Sequence, residues 1–146
     1  MPSSILIVDD HEVVRQGLRM ILGSRKDWKI CGEASDGEEA IAAAGATNPD
    51  VIIMDITMPK MNGLEAAQKI SKLNLKSRVL IFTMHDSHSL VLAIRQAGAR
   101  GYVLKSHAAR DLIHAVEAVL AGGTFFRSEQ ASAAEISRPV SDMKRA

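Results

Sequence analysis

Four short runs of nearly pure aliphatic residues constrain this chain most: Ile5-Leu6-Ile7-Val8, Val51-Ile52-Ile53-Met54, Val79-Leu80-Ile81-Phe82 and Tyr102-Val103-Leu104. They are rich in β-branched residues and do not alternate with polar ones. A strand with one wet face alternates, whereas a strand covered on both faces reads as a continuous apolar run. The runs therefore predict a parallel sheet flanked by helices on both sides. A weaker strand candidate, Trp28 to Ala34, lies between the first two.

The segments between these runs carry helical spacing. Val14, Leu18 and Ile21 share a face after Asp10, and Ala40, Ile41 and Ala44 follow the Asp36-Gly37 turn. Gly63, Ala67 and Ile70 share a face behind Asn62, a helix-capping residue type. Leu90, Ile94 and Ala97 repeat the spacing up to Gly98, and Leu112, Val116 and Val119 form a last stripe before Gly122-Gly123. Strand and helix thus alternate about five times, which implies right-handed crossovers and a doubly wound α/β fold, (βα)5. Residues 1–124 read as one domain. From Phe125 to Ala146 the chain turns rich in Ser, Ala and charge, with Pro139 interrupting, and reads as a linker or tail with one short helix at Glu129 to Ile136.

Composition narrows the function classes. The chain has 146 residues, 47% of them hydrophobic and 24% charged, and a net charge of +1, so no overall field draws it to nucleic acid or anionic lipid. The single cysteine, Cys31, cannot form an internal disulfide. The start, Met1-Pro2-Ser3-Ser4, lacks a signal-peptide pattern, and the apolar runs are too short to span a bilayer. A cytoplasmic protein with no membrane partner is expected.

Ligands of open α/β sheets bind beyond the carboxyl ends of the strands. Here the first strand ends in Asp9-Asp10, the third in Asp55, the fourth in Thr83 and the fifth in Lys105. With a strand order of 2-1-3-4-5, strands one and three are neighbours and three carboxylates converge, beside a hydroxyl and an ammonium. Such carboxylates repel one another unless a cation compensates. Mg²⁺ suits the set, with side-chain oxygens from Asp9, Asp10 and Asp55 and the backbone carbonyl of Thr57. Taken singly, an Asp after a strand is more often a helix cap, and a lone Lys is a solvated charge. The combination of complementary groups at four strand ends favours a site.

These residues resemble the receiver domains of two-component response regulators. The resemblance covers about residues 4–124. It rests on Val8-Asp9-Asp10-His11, on Met54-Asp55-Ile56-Thr57-Met58-Pro59 with Met61-Asn62-Gly63, on Phe82-Thr83-Met84, and on Gly101-Tyr102-Val103-Leu104-Lys105. The wording Asp-Asp-His, Gly-Ala-Arg-Gly-Tyr-Val-Leu-Lys-Ser and Ala-Gly-Gly-Thr-Phe-Phe is similar to the NarL/FixJ (LuxR-like) subfamily. The resemblance implies a flavodoxin-like sheet and a signalling domain that catalyses only its own phosphorylation and dephosphorylation. Asp55 is then the phosphoacceptor, served by a sensor histidine kinase, with Mg²⁺ on Asp9 and Asp10. Lys105 pairs with Asp55, Thr83 hydrogen-bonds the phosphoryl group, and Tyr102 occupies the aromatic switch position. Homodimerisation on phosphorylation is a further implied property.

Two departures stand out. Ser106 follows Lys105 where most receivers have proline, which fits the NarL-type group. That group usually continues into a DNA-binding helix-turn-helix, whereas Ser137-Arg138-Pro139-Val140 and Met143-Lys144-Arg145 carry basic charge but no such pattern. DNA binding and transcriptional control would thus run through an output domain not present in this chain; the alternative is a stand-alone receiver acting through protein contacts. His11 and His85 read as rim residues rather than metal ligands, and Thr57 and His85 flank the expected path of attacking water. A flavin-type binder would need a phosphate cradle where Asp9-Asp10-His11-Glu12 stands. A haloacid-dehalogenase phosphatase would need an Asp where Thr57 stands. The Gly-rich P-loop of NTPases is missing.

Overall fold

The computed structural model describes residues 2–126. Along the chain, β1 (Ser3–Val8), α1 (Glu12–Leu22), β2 (Trp28–Ala34), α2 (Gly37–Thr47) and β3 (Val51–Met54) are followed by α3 (Gly63–Ser71) and β4 (Arg78–Thr83). The chain continues through α4 (His88–Gln96), β5 (Gly101–Leu104), α5 (Ala108–Leu120) and β6 (Phe125–Phe126). The sheet is parallel, in the order β2-β1-β3-β4-β5-β6. The five expected strands hold the expected order. The sheet gains a sixth, because Phe125 and Phe126, which by composition read as the start of the tail, pair with Gly101 and Tyr102. The short helix expected at Glu129 to Ile136 lies outside the described residues.

The uninterrupted apolar runs follow from burial on both faces. Successive strand residues point to opposite sides. Leu6, Val8, Ile52, Met54 and Ile81 therefore pack with Ala40, Ala66, Ile70 and Ile94 of α2, α3 and α4. Ile5, Ile7, Val51, Ile53 and Leu80 pack with Leu18, Leu22, Leu112 and Val116 of α1 and α5. β2, at the sheet edge, is only partly buried along most of its length, which explains its weaker sequence signal. Local capping agrees with this frame. The Asp36 carboxylate accepts from the Glu39 N–H at 2.8 Å and starts α2, and Asn62 accepts from the Glu65 N–H at 2.9 Å and starts α3. Gly98 takes φ +88 just after α4, a left-handed turn that suits glycine. Every peptide bond among the described residues is trans.

Candidate functional site

Backbone pairing sets the site before any side chain does. The Asp9 N–H donates to the Ala34 carbonyl at 3.0 Å, and the Asp55 N–H donates to the Val8 carbonyl at 3.0 Å. Those bonds extend the β2–β1–β3 ladder by one residue. They hold Asp9 and Asp55 side by side at the carboxyl edge of the sheet. After Asp55 the chain turns back on itself, and the Gly63 N–H donates to the Ile56 carbonyl at 2.8 Å. Gly63 has no substitute there: a Cβ would lie 2.0 Å from the Asp55 carbonyl oxygen. Glycine at the start of α3 is thus a close-approach residue that lets the loop fold over Asp55.

The side chains converge. Lys105 Nζ donates to Asp9 Oδ2 at 2.9 Å and lies 3.3 Å from Asp55 Oδ2. Asp9 is fully buried and Asp55 is 5% exposed. Oxygens of Asp9, Asp10 and Asp55 and a ring nitrogen of His11 lie within 4.8 Å of one another. Asp10 is not spent on capping, since α1 begins behind His11 without a side-chain cap. The His11 ring stays at the exposed rim, as expected, but its Nδ1 touches Asp9 at 3.2 Å and Asp10 at 3.0 Å. Its backbone N–H also donates to Asp9 Oδ1 at 2.9 Å.

Electrostatics follow from this crowding. Burial pushes the Asp55 carboxyl above its usual range, the Asp9 carboxylate adds to that, and Lys105 only partly offsets both. Burial works against the Lys105 ammonium, yet the hydrogen bond to Asp9 and the charge of Asp55 outweigh it and hold its pKa above 10.5. One ammonium is shared by two carboxylates, so the cluster is short of positive charge. The donors are hard oxygens, carboxylates from two strand ends, which fits a divalent ion such as Mg²⁺ and suits no soft metal.

The remaining expected residues are also near the strand ends. Thr83, buried at the end of β4, accepts the His85 N–H at 3.4 Å through Oγ1. Thr57 stands exposed in the loop after Asp55, and His85 is exposed beyond Thr83. Tyr102 is buried on the α4 side of the sheet, its hydroxyl 3.5 Å from Asp86 Oδ2 and its ring edge-on to Phe126 with centroids 6.0 Å apart. Sequence reasoning missed Arg15, whose Nη1 donates to the Asp9 carbonyl at 2.5 Å. Its only sequence signal is the Glu12–Arg15 spacing of a helical ion pair.

Known proteins agree with this geometry. The model of the response regulator receiver domain matches residues 5–117. The response regulator UvrY of Escherichia coli O157:H7 is 38% identical over 135 residues, 92% of this chain and 62% of that protein. The nitrate/nitrite response regulator protein NarL of Escherichia coli K12 is 36% identical over 121 residues, 83% of this chain and 56% of that protein. The chain therefore spans less than two thirds of either relative. Among solved structures, a LuxR-family two-component response regulator from Aurantimonas sp. SI85-9A1 superposes with a TM-score of 0.85 at 37% identity, covering 94% of this chain and 99% of that one. No helix among the described residues is long and apolar enough to cross a membrane. Matched by family, by relatives and by the acidic edge of its sheet, the chain belongs to the receiver domains of two-component response regulators, in the NarL/FixJ (LuxR-like) group.

Proposed function

We propose that Asp55 accepts a phosphoryl group from the phosphohistidine of a sensor histidine kinase, and that the resulting acyl phosphate changes the packing around Thr83 and Tyr102. The observation that carries this reading is the Lys105 ammonium set between two buried carboxylates, 2.9 Å from Asp9 and 3.3 Å from Asp55. A structural ion pair needs one carboxylate per cation. Two buried carboxylates on one lysine leave an electrostatic deficit that an incoming cation relieves.

Phosphoryl transfer demands positioning and charge neutralisation more than covalent assistance. A bound Mg²⁺, held by Asp9, Asp10 and Asp55 side chains and the Thr57 carbonyl, would supply Lewis-acid neutralisation of phosphoryl oxygens. Asp55, held by its backbone bond to the Val8 carbonyl, supplies one carboxylate oxygen as the nucleophile. That oxygen bonds to phosphorus while the donor's P–N bond breaks, and the departing imidazole keeps the electron pair. Lys105 then faces a phosphoryl oxygen in place of a carboxylate. The Thr83 hydroxyl, which now accepts from His85, has its own proton to donate to that group. The short loop that leaves β4 at Thr83 carries Asp86, which accepts from the Tyr102 hydroxyl. Movement at Thr83 therefore reaches Tyr102 through the loop, shifting an equilibrium between two packings. Thr57 and His85 border the route of the water that removes the phosphoryl group.

In this reading the chain acts in the cytoplasm and catalyses only its own phosphorylation and dephosphorylation. Its output is DNA binding and transcription through a helix-turn-helix domain, with phosphorylation favouring a homodimer. Incubation with acetyl phosphate and Mg²⁺, read by intact mass, tests the core claim. One phosphoryl adduct is expected, absent in Asp55→Ala and with EDTA. Labelling that persists in Asp55→Ala would defeat the assignment.

A further inference from the structure

Asp9 is fixed at every polar atom, and one of its partners is a side chain outside the acidic cluster. Its N–H is tied to Ala34, its Oδ1 accepts from the His11 N–H and its Oδ2 accepts from Lys105. The carbonyl is held by Arg15, 2.5 Å from Nη1. Arg15 is itself only 16% exposed at the side chain. Its Nε donates to Glu33 Oε1 at 2.9 Å and its Nη2 to Glu12 Oε1 at 2.5 Å. Arg19 bonds the second oxygens of the same two glutamates. The guanidinium is thus anchored on α1 and β2 at once, and its third arm grips the main chain of the β1–α1 turn.

We propose that Arg15 is the positioning residue of the cation site: it fixes the Asp9–Asp10 peptide, and so aims both carboxylates at one point. This inference rests on the acidic cluster being a Mg²⁺ site. The chemistry requires arginine. Its rigid fork directs donors to three acceptors, whereas a lysine ammonium is a point charge that cannot reach all three. Arg15 touches no expected ligand oxygen, so it acts through the backbone of Asp9.

Charge and geometry make opposite forecasts here. As a mere positive charge near a cation site, Arg15 would weaken Mg²⁺ binding, and its removal would strengthen it. As a positioning residue it strengthens binding, and loss of such outer support typically costs 10–100-fold in metal affinity. Titration calorimetry of Mg²⁺ into the unphosphorylated protein separates the two. Arg15→Lys keeps the charge and loses the fork, so its dissociation constant should rise roughly ten-fold, with Arg15→Gln weakened at least as much. Arg25→Lys is the control. Arg25 bonds Asp27 and Glu117 at the opposite end of the sheet, so its variant should bind Mg²⁺ as the native chain does even if its thermal midpoint falls. A second reading follows the turn itself: in metal-free Arg15→Lys the amides of Asp10 and His11 should exchange faster, with those around Trp28 unchanged.

Native-like affinity in Arg15→Lys, or tighter binding in Arg15→Gln, would overturn the positioning role while leaving the metal site intact. A native protein that binds no Mg²⁺ would instead overturn the site reading on which this one stands.

Discussion

Replacing Lys105 by methionine keeps most of the aliphatic stem and removes the ammonium that touches both Asp9 and Asp55. Each contact near 3 Å is worth about 5 kcal/mol of gross attraction at an effective dielectric of ~20, much of it offset by desolvation. Breaking a buried pair from one side typically costs roughly 3–5 kcal/mol, because the orphaned charge remains. Lys105 keeps 19% of its side chain exposed, so solvent screens part of the pair and the lower end, about 3 kcal/mol, is expected. For a domain of this size that is a fall in Tm of roughly 10 °C. The assay is thermal unfolding without metal at several pH values. In the variant the Asp55 carboxyl, already raised by burial and Asp9, rises further. The folded state then holds a proton more tightly than the unfolded state. Its deficit is therefore full above the folded pKa and narrows as pH falls through it. Added Mg²⁺ should also recover part of the loss. An unchanged midpoint, or a deficit that stays constant on acidification and is indifferent to Mg²⁺, would refute the reasoning.

Asp55→Asn should stabilise the metal-free protein at neutral pH. A carboxyl whose folded pKa is raised contributes stability below its unfolded value near 3.8, and that contribution disappears as pH rises through the folded pKa. The amide's advantage should thus shrink on acidification; a variant less stable at pH 7 would contradict it. Gly63→Ala should slow acetyl-phosphate labelling and lower stability by more than ~1 kcal/mol, since its methyl meets backbone rather than a movable side chain. Normal labelling would show that the loop yields freely. Phe126→Ala should cost about 2–3 kcal/mol, below the usual range for a buried Phe because β6 is a two-residue edge strand, and should alter the near-UV signal of Tyr102. An unperturbed tyrosine signal would mean that β6 does not hold the ring.

What the sequence revealed, and what it hid, follows from the range of the interactions. β1, β3, β4 and β5 were legible because burial on both faces leaves an apolar run that no other element produces at that length. β6 was not: two aromatic residues carry no period, and the ring partners of Phe126, Tyr102 and Arg95, come from β5 and α4. The acidic cluster was legible because Asp9, Asp10, Asp55 and Lys105 each terminate a readable strand, and parallel strands end on one edge. Arg15 escaped notice because its decisive acceptor is a backbone carbonyl, which has no sequence signature, and its anchor Glu33 lies 18 residues away. The neighbour of Tyr102 was equally hidden: burial was expected of its run, but nothing in the sequence says that its ring meets Phe126 of β6.

The central claim is that the phosphoryl group resides on Asp55 and on no other carboxylate of the cluster. Borohydride reduction of the phosphorylated chain converts the acyl phosphate to the corresponding alcohol, and peptide mapping then locates the reduced side chain. The account predicts homoserine at position 55, formed only when Mg²⁺ and the phosphodonor are both present. Reduction at Asp9 or Asp10, or at Asp55 without Mg²⁺, would contradict it.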